Sequence, residues 1–271
     1  MSYDLLVPFE RIADFDDPRI ALYRRVSDPE LLRAHGLFVA EGRLVAQRVI
    51  EDGRYTLHSL LLNEAARRSL DAPLAQVASQ VPIYLCDRAD FPGITGFNIH
   101  RGCLALAFRP RPLTTDAVLS GARRIVVLDA VANADNVGGV FRNVAAFGAD
   151  GVLLGPTTCD PLYRKAIRTS MAATLRVPFA RVHSWQDTAD RLHQYAFTAV
   201  ALTPRSPSED LESFATGARA DKLALIVGSE GDGVSPEAVA IADARVRIPI
   251  DPGVDSLNLA VAAAIALYRL G

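Results

Sequence analysis

Three stretches in the C-terminal half place polar residues and glycines where an apolar strand runs out, and that is where α/β sheets present groups to a ligand. The first, Asn133 to Asn143 (NADNVGGVFRN), follows the apolar run ending at Leu128 and leads into a helical pattern. Gly138 and Gly139 there allow close backbone approach or a tight start to the helix. Arg142 falls one turn after Gly138, read as near the helix N-terminus, where a cation opposes the helix dipole. An Arg so placed among apolar residues is expected to meet an anion or a substrate.

The second stretch, Leu225 to Pro236 (LIVGSEGDGVSP), ends a buried strand in Gly228, Gly231 and Gly233, with Ser229 and Glu230 between them. Ser235 is the expected cap of a helix whose first residue is Pro236. Glycine-rich turns of this kind cradle nucleotides, although the spacing is that of neither dinucleotide nor P-loop motifs, and a plain turn would look similar. The third stretch runs Ile248, Pro249, Ile250, then Gly253, and then Ser256, Leu257 and Asn258 before an Ala-rich apolar helix. Ser256 reads as that helix's cap. Asn258, disfavoured inside a helix, is left without a capping explanation.

The elements that would position these residues are legible from periodicity. Apolar runs at Arg124–Leu128, Gly151–Leu154, Phe197–Leu202, Leu223–Val227 and Val246–Ile250 alternate with helical patterns, which predicts a mainly parallel sheet covered on both faces. Before them, helices are expected over Arg19–Val26, Pro29–His35, Gly42–Glu51 and Pro73–Ser79, with strands at Leu37–Val39, Leu57–Leu62, Val81–Leu85 and Cys103–Phe108. The Arg109-Pro110-Arg111-Pro112 run interrupts both patterns and reads as a linker. The organisation expected is an extension (1–17), a small α/β domain (18–108), a linker (109–114) and a second domain (115–271).

Composition excludes other classes. Cys86, Cys103 and Cys159 are three, scattered and without ligand spacing, as are His35, His58, His100, His183 and His193, so no metal site is expected. The longest apolar run, Leu259–Tyr268, is too short to span a bilayer and reads as a buried helix. With no secretory signal at the N-terminus, a cytoplasmic protein is expected. Net charge is −2, yet residues 18–112 carry thirteen Arg against nine acids, and 27 of the 29 basic residues are Arg, a type suited to phosphate contacts though also a product of codon bias.

In order, N-x-G-x-x-x-R (Asn136, Gly138, Arg142), G-S-E-G-x-G (Gly228 to Gly233) and I-P-I with S-L-N on a terminal Ala-rich helix resemble the SpoU (TrmH) family of RNA 2′-O-ribose methyltransferases. Residues 36–42 (GLFVAEG) look like the start of the L30e-like RNA-binding domain that many members carry, so the resemblance spans roughly 18–271. It implies a trefoil-knotted α/β domain preceded by that small α/β domain, S-adenosylmethionine as cofactor, ribosomal or transfer RNA as substrate, and a homodimer sharing its active sites. By resemblance, Gly228, Ile248 and Leu257, flanked by Ser229, Ile250 and Ser256, hold the cofactor, and Arg142, Asn136, Glu230, Ser256 and Asn258 face the ribose. The resemblance makes Arg142 the usual candidate for assisting loss of the 2′-hydroxyl proton; because a guanidinium is a poor base, the role expected in preference is that it stays cationic and binds phosphate and developing alkoxide. Two positions depart from the family pattern: Ala134 stands where Pro is common and Ala172 where Gly is common. A catalytically silent RNA-binding protein remains an alternative, and a nicotinamide oxidoreductase a remoter one, lacking G-x-G-x-x-G after its first strand.

Overall fold

Runs of buried apolar residues build two sheets in the computed structural model, which describes residues 9–24, 27–87, 89–95, 102–217 and 221–271. The start of the expected N-terminal extension and His100 lie outside the described residues. By compactness the chain groups into residues up to Arg111 together with Leu162–Ala172, and Pro112–Pro161 together with Ala173–Gly271.

The first unit holds β1 (Phe9–Arg11), β2 (Leu37–Glu41), β3 (Leu57–Leu62), β4 (Ile83–Leu85) and β5 (Cys103–Phe108) in the order β1-β4-β3-β5-β2. β1, β4 and β3 are parallel, and β5 runs antiparallel to β3 and β2. Its core gathers Ile20, Leu31, Leu37, Leu61, Phe91 and Leu106. Arg43–Asp52 is helical and buries Val45, Ala46, Val49 and Ile50 on one face. The helix expected over 73–79 forms earlier, at Asp71–Leu74, preceded by an unforeseen helix Glu64–Ser69. Asn63 starts the latter, its Oδ1 accepting from the Ala66 N–H at 2.8 Å.

Leu162–Ala172 brings the helix Arg164–Thr169 into this unit. Its anchor is Glu41, only 6% exposed, whose carboxylate lies 3.4 Å from Arg168 Nη1 and 3.6 Å from Arg164 Nε. A buried carboxylate needs such partners. The segment ends with Met171 and Ala172 both at positive φ, 53° and 67°. That conformation explains a family glycine at the second position, and Ala172 takes it with its methyl fully buried.

The second unit is built on β6 (Arg124–Leu128), β7 (Gly151–Leu154), β8 (Phe179–Arg181), β9 (Thr198–Leu202), β10 (Glu209–Asp210), β11 (Leu223–Val227) and β12 (Ala244–Arg247). Every neighbouring pair in the order β10-β12-β9-β11-β6-β7-β8 is parallel, as the apolar, helix-separated runs predict. β8 and β10 are short and were not expected. β12 stops at Arg247 rather than continuing to Ile250. Pro249 has no N–H for a ladder, so Ile248–Ile250 leave the sheet.

Two helices complete the frame. Ala134–Ala146 starts at Asn133, whose Oδ1 accepts from the Asp135 N–H at 2.9 Å. Ala134 is thus the first helical residue, where Pro and Ala are both tolerated, and the first departure from the family pattern costs little. Leu259–Arg269 packs against it, with Asn143 Nδ2 donating to the Ala260 carbonyl at 2.6 Å. Gly139 is therefore not the start of a helix. It lies within one, where an added Cβ would come within 2.7 Å of the Ala260 Cβ.

Gly139→Ala should accordingly destabilise the protein by about 1–2 kcal/mol in urea unfolding, although Ala gains about 1 kcal/mol of helix propensity over Gly. Adding Ala260→Gly to that variant should restore most of the loss. Destabilisation that the second change fails to relieve would place the clash elsewhere.

Candidate cofactor cleft and active site

A cleft of about 300 Å³ opens at the carboxyl ends of β9, β11 and β12, walled by the loops that follow them and by the start of the Leu259–Arg269 helix. A larger cavity of about 430 Å³ lies by Arg123, Arg124 and Leu223, at the amino ends of β6 and β11. Ligands of open parallel sheets bind outside the carboxyl ends, which favours the smaller cleft. The sequence motifs favour it too, because Gly228, Ser229, Ile248, Ile250, Ser256 and Leu257 all line it.

One wall is the turn after β11. Ser229 and Gly233 exchange two backbone hydrogen bonds of 3.1 Å, closing a tight loop. Gly231 and Gly233 adopt φ of 94° and 71°, the left-handed region that suits glycine. Gly228 is required for a different reason: a Cβ there would sit 2.0 Å from the carbonyl carbon of Gly233. Ser235 caps the following helix, Pro236–Ala240, as expected, accepting from the Ala238 N–H at 3.2 Å.

Sequence reasoning passed over the residue that moors this turn. Asp129, directly after β6 and 3% exposed, accepts the Ser235 N–H at 2.7 Å and donates its own N–H to the Val227 carbonyl. The available signal was a carboxylate directly after four fully apolar strand residues.

At the mouth of the cleft, Asn258 is the centre of a polar cluster. Its Oδ1 accepts from the Ala260 and Val261 N–H groups, so Asn258, and not Ser256, caps the last helix. Burial begins only at Leu259, and the exposed Ser256 stays in the loop, on the cleft wall. With Oδ1 committed to the cap, the Asn258 amide donates to Glu230 Oε1 at 2.7 Å and to Asn136 Oδ1 at 3.1 Å. Asn136 is 5% exposed, whereas Glu230 faces solvent. Three predicted site residues from three separate loops and helices thus meet through one side-chain amide.

Arg142 does not join them. Because the helix begins at Ala134, Arg142 is in its second half, away from the N-terminus where a cation would oppose the dipole. Six residues after Asn136, it lies about 9 Å further along the axis and about 120° around it. Its side chain is exposed, and no described residue pairs with it.

The chain is also similar to known proteins. Residues 123–268, more than half of the chain, match the model of the SpoU rRNA Methylase family. An uncharacterized tRNA/rRNA methyltransferase of Mycobacterium tuberculosis is 37% identical over 262 residues, covering 95% of this chain and 90% of its own. The Bacillus subtilis 23S rRNA (guanosine(2553)-2′-O)-methyltransferase is 28% identical over 194 residues, 70% of this chain and 73% of its own. In fold, the chain resembles the AdoMet-bound rRNA methyltransferase of Sinorhizobium meliloti, with a TM-score of 0.81 at 21% identity and 97% of each chain covered. The ordered motifs, the cleft they line and these matches agree: the chain belongs to the SpoU rRNA methylase family.

Proposed function

We propose that the protein transfers the methyl group of S-adenosylmethionine to a ribose 2′-hydroxyl of structured RNA, with ribosomal RNA the favoured substrate, and that it works as a homodimer. The observation that carries this reading is the Asn136–Glu230–Asn258 cluster, held at the mouth of a cleft walled by the glycine turn. The cleft suits the cofactor. Its volume is within the range of small-ligand pockets, Leu202, Val227, Ile248, Ile250, Leu257 and Leu259 offer apolar walls to a purine, and Glu230, Asp232 and Asp255 complement its positive charges.

Bound there, the cofactor supplies an electrophilic methyl on a sulfonium, and the protein's own residues do the positioning. Asn258, immobilised by the cap and by its two partners, fixes Glu230 and Asn136 toward the ribose, and Ser256 lines the same wall. Orientation of this kind supplies much of the acceleration of a displacement between two bound reactants. Arg142 stays cationic, holding the adjacent phosphate and the alkoxide as it develops.

Two observations support the dimer. Arg142 is remote from the cluster of its own chain. In addition, Val261, Ile265 and Tyr268 leave an apolar stripe exposed along the Leu259–Arg269 helix, 49%, 38% and 75% accessible, where a buried helix was expected. In this reading a second copy covers that stripe and supplies its own Arg142 to the cluster. In this reading 248–258 is the threaded segment of the knot, and residues 18–108 form the L30e-like domain that selects RNA.

The test is calorimetry with S-adenosylmethionine, followed by methyl transfer to RNA and nucleoside mass spectrometry. Methyl groups should appear on ribose 2′-oxygens. Methylated bases would move the acceptor, binding without transfer would favour a silent RNA-binding protein, and no binding at millimolar cofactor would remove the reading altogether.

A further inference from the structure

Arg205 belongs to no motif, yet it is the one cation among the described residues that line the cleft; the other charged side chains there, Glu230, Asp232 and Asp255, are all acidic. It follows β9 in the loop that begins at Thr203, which is 4% exposed. Two hydrogen bonds place it. Its backbone N–H donates to Thr203 Oγ1 at 3.2 Å, and its guanidinium Nη2 donates to the Asp232 carbonyl at 2.6 Å, at the tip of the glycine turn. Neither partner is a carboxylate, no ion pair with another described residue neutralises the positive charge, and the fork keeps N–H groups for a planar anion.

The charge pattern points to one part of the ligand. S-adenosylmethionine, on which this step rests, carries two cationic centres, the sulfonium and the α-ammonium, and one anionic group, the α-carboxylate. Three acids in the cleft suit the first two and repel the third. We infer that Arg205 binds the α-carboxylate of the cofactor, fixing the amino-acid end while the purine occupies the apolar wall. Glu230, on the same cleft wall, would complement the charge of the sulfonium. Because S-adenosylhomocysteine keeps the carboxylate, Arg205 grips substrate and product cofactor alike. It sets selectivity for the intact amino-acid tail and takes no part in the transfer itself.

Calorimetry on the full-length protein tests this with two ligands, S-adenosylhomocysteine and its decarboxylated analogue 5′-deoxy-5′-(3-aminopropylthio)adenosine. Arg205→Gln should weaken S-adenosylhomocysteine roughly 10- to 100-fold, the scale of a charge-assisted hydrogen bond, and change the analogue by less than about 2-fold. Arg205→Lys should fall between wild type and Arg205→Gln for the first ligand. An equal loss for both ligands would mean that Arg205 only straps the loop to the turn, and no loss for either would mean that it touches neither; each overturns the assignment. Wild-type protein that binds neither ligand would instead overturn the cofactor reading on which the assignment rests.

Discussion

Co-expression of two inactive variants, Arg142→Ala and Asn258→Ser, should restore methyl transfer to roughly a quarter of the wild-type rate per subunit, the statistical yield of a two-fold dimer with shared sites. Each variant alone should lose about 100-fold or more in turnover, as expected when a group that stabilises developing charge or one that orients the reacting groups is removed. Asn258→Ser is chosen because Ser also caps helices well. It keeps the start of the Leu259–Arg269 helix while deleting the amide that holds Glu230 and Asn136. In a mixed dimer one site receives both wild-type residues and the other receives neither. Half of the dimers are mixed, and each of these has one working site. If Arg142 instead served the cluster of its own chain, no mixture would recover activity, because every site would still lack one group. Arg142→Lys adds a second reading of the same residue. A guanidinium-specific grip on phosphate should leave the Lys variant well below wild type at saturating RNA, whereas near-normal turnover would reduce the role to that of a point charge.

The sequence makes the sheet of the second unit legible because burial on both faces writes it as continuous apolar runs. β6, β7 and β11 begin and end where those runs do. β8 and β10 have no such run: Phe179–Arg181 and Glu209–Asp210 sit at the two edges of the sheet, where few positions need to be apolar. The candidate site is legible as composition and obscure as geometry. Ser256 and Asn258 are both good caps two residues apart, and only the packing of Leu259 decides between them. Gly138 and Gly139 look like a helix start, because the residue that demands the second glycine, Ala260, lies more than a hundred positions away. Asp129 and Arg205 escape notice for a related reason. Their partners are the Ser235 N–H and the Asp232 carbonyl, backbone groups that leave no mark on residue type. Glu41 was visible within its motif, but the arginines it anchors arrive from beyond the linker, in a segment that local pattern assigns to the other unit.

Gly228→Ala should give a folded protein that binds S-adenosylmethionine at least about 100-fold more weakly than wild type, the scale of overpacking by up to about 3 kcal/mol at a rigid site. The added methyl would stand 2.0 Å from the Gly233 carbonyl carbon and oxygen and 2.2 Å from the Val234 nitrogen. These are backbone atoms, and they cannot swing aside as a side-chain tip can. Making room would mean opening the paired Ser229–Gly233 hydrogen bonds or pulling Ser235 from Asp129, so the turn would have to leave the cleft wall it forms. Gly231→Ala provides the contrast. Its φ of 94° makes any side chain costly, yet an added Cβ meets nothing within 4 Å. The strain there is conformational, of order 1–3 kcal/mol, and can relax at the exposed tip of the turn without moving its base. Cofactor affinity should therefore fall much further for Gly228→Ala than for Gly231→Ala, even where their thermal unfolding without ligand is similar. Equal losses of affinity in step with stability would make the turn a structural closure only. Undiminished binding by Gly228→Ala would show that the cofactor rests on some other wall, since no cofactor held against this turn could be indifferent to displacement of Gly233.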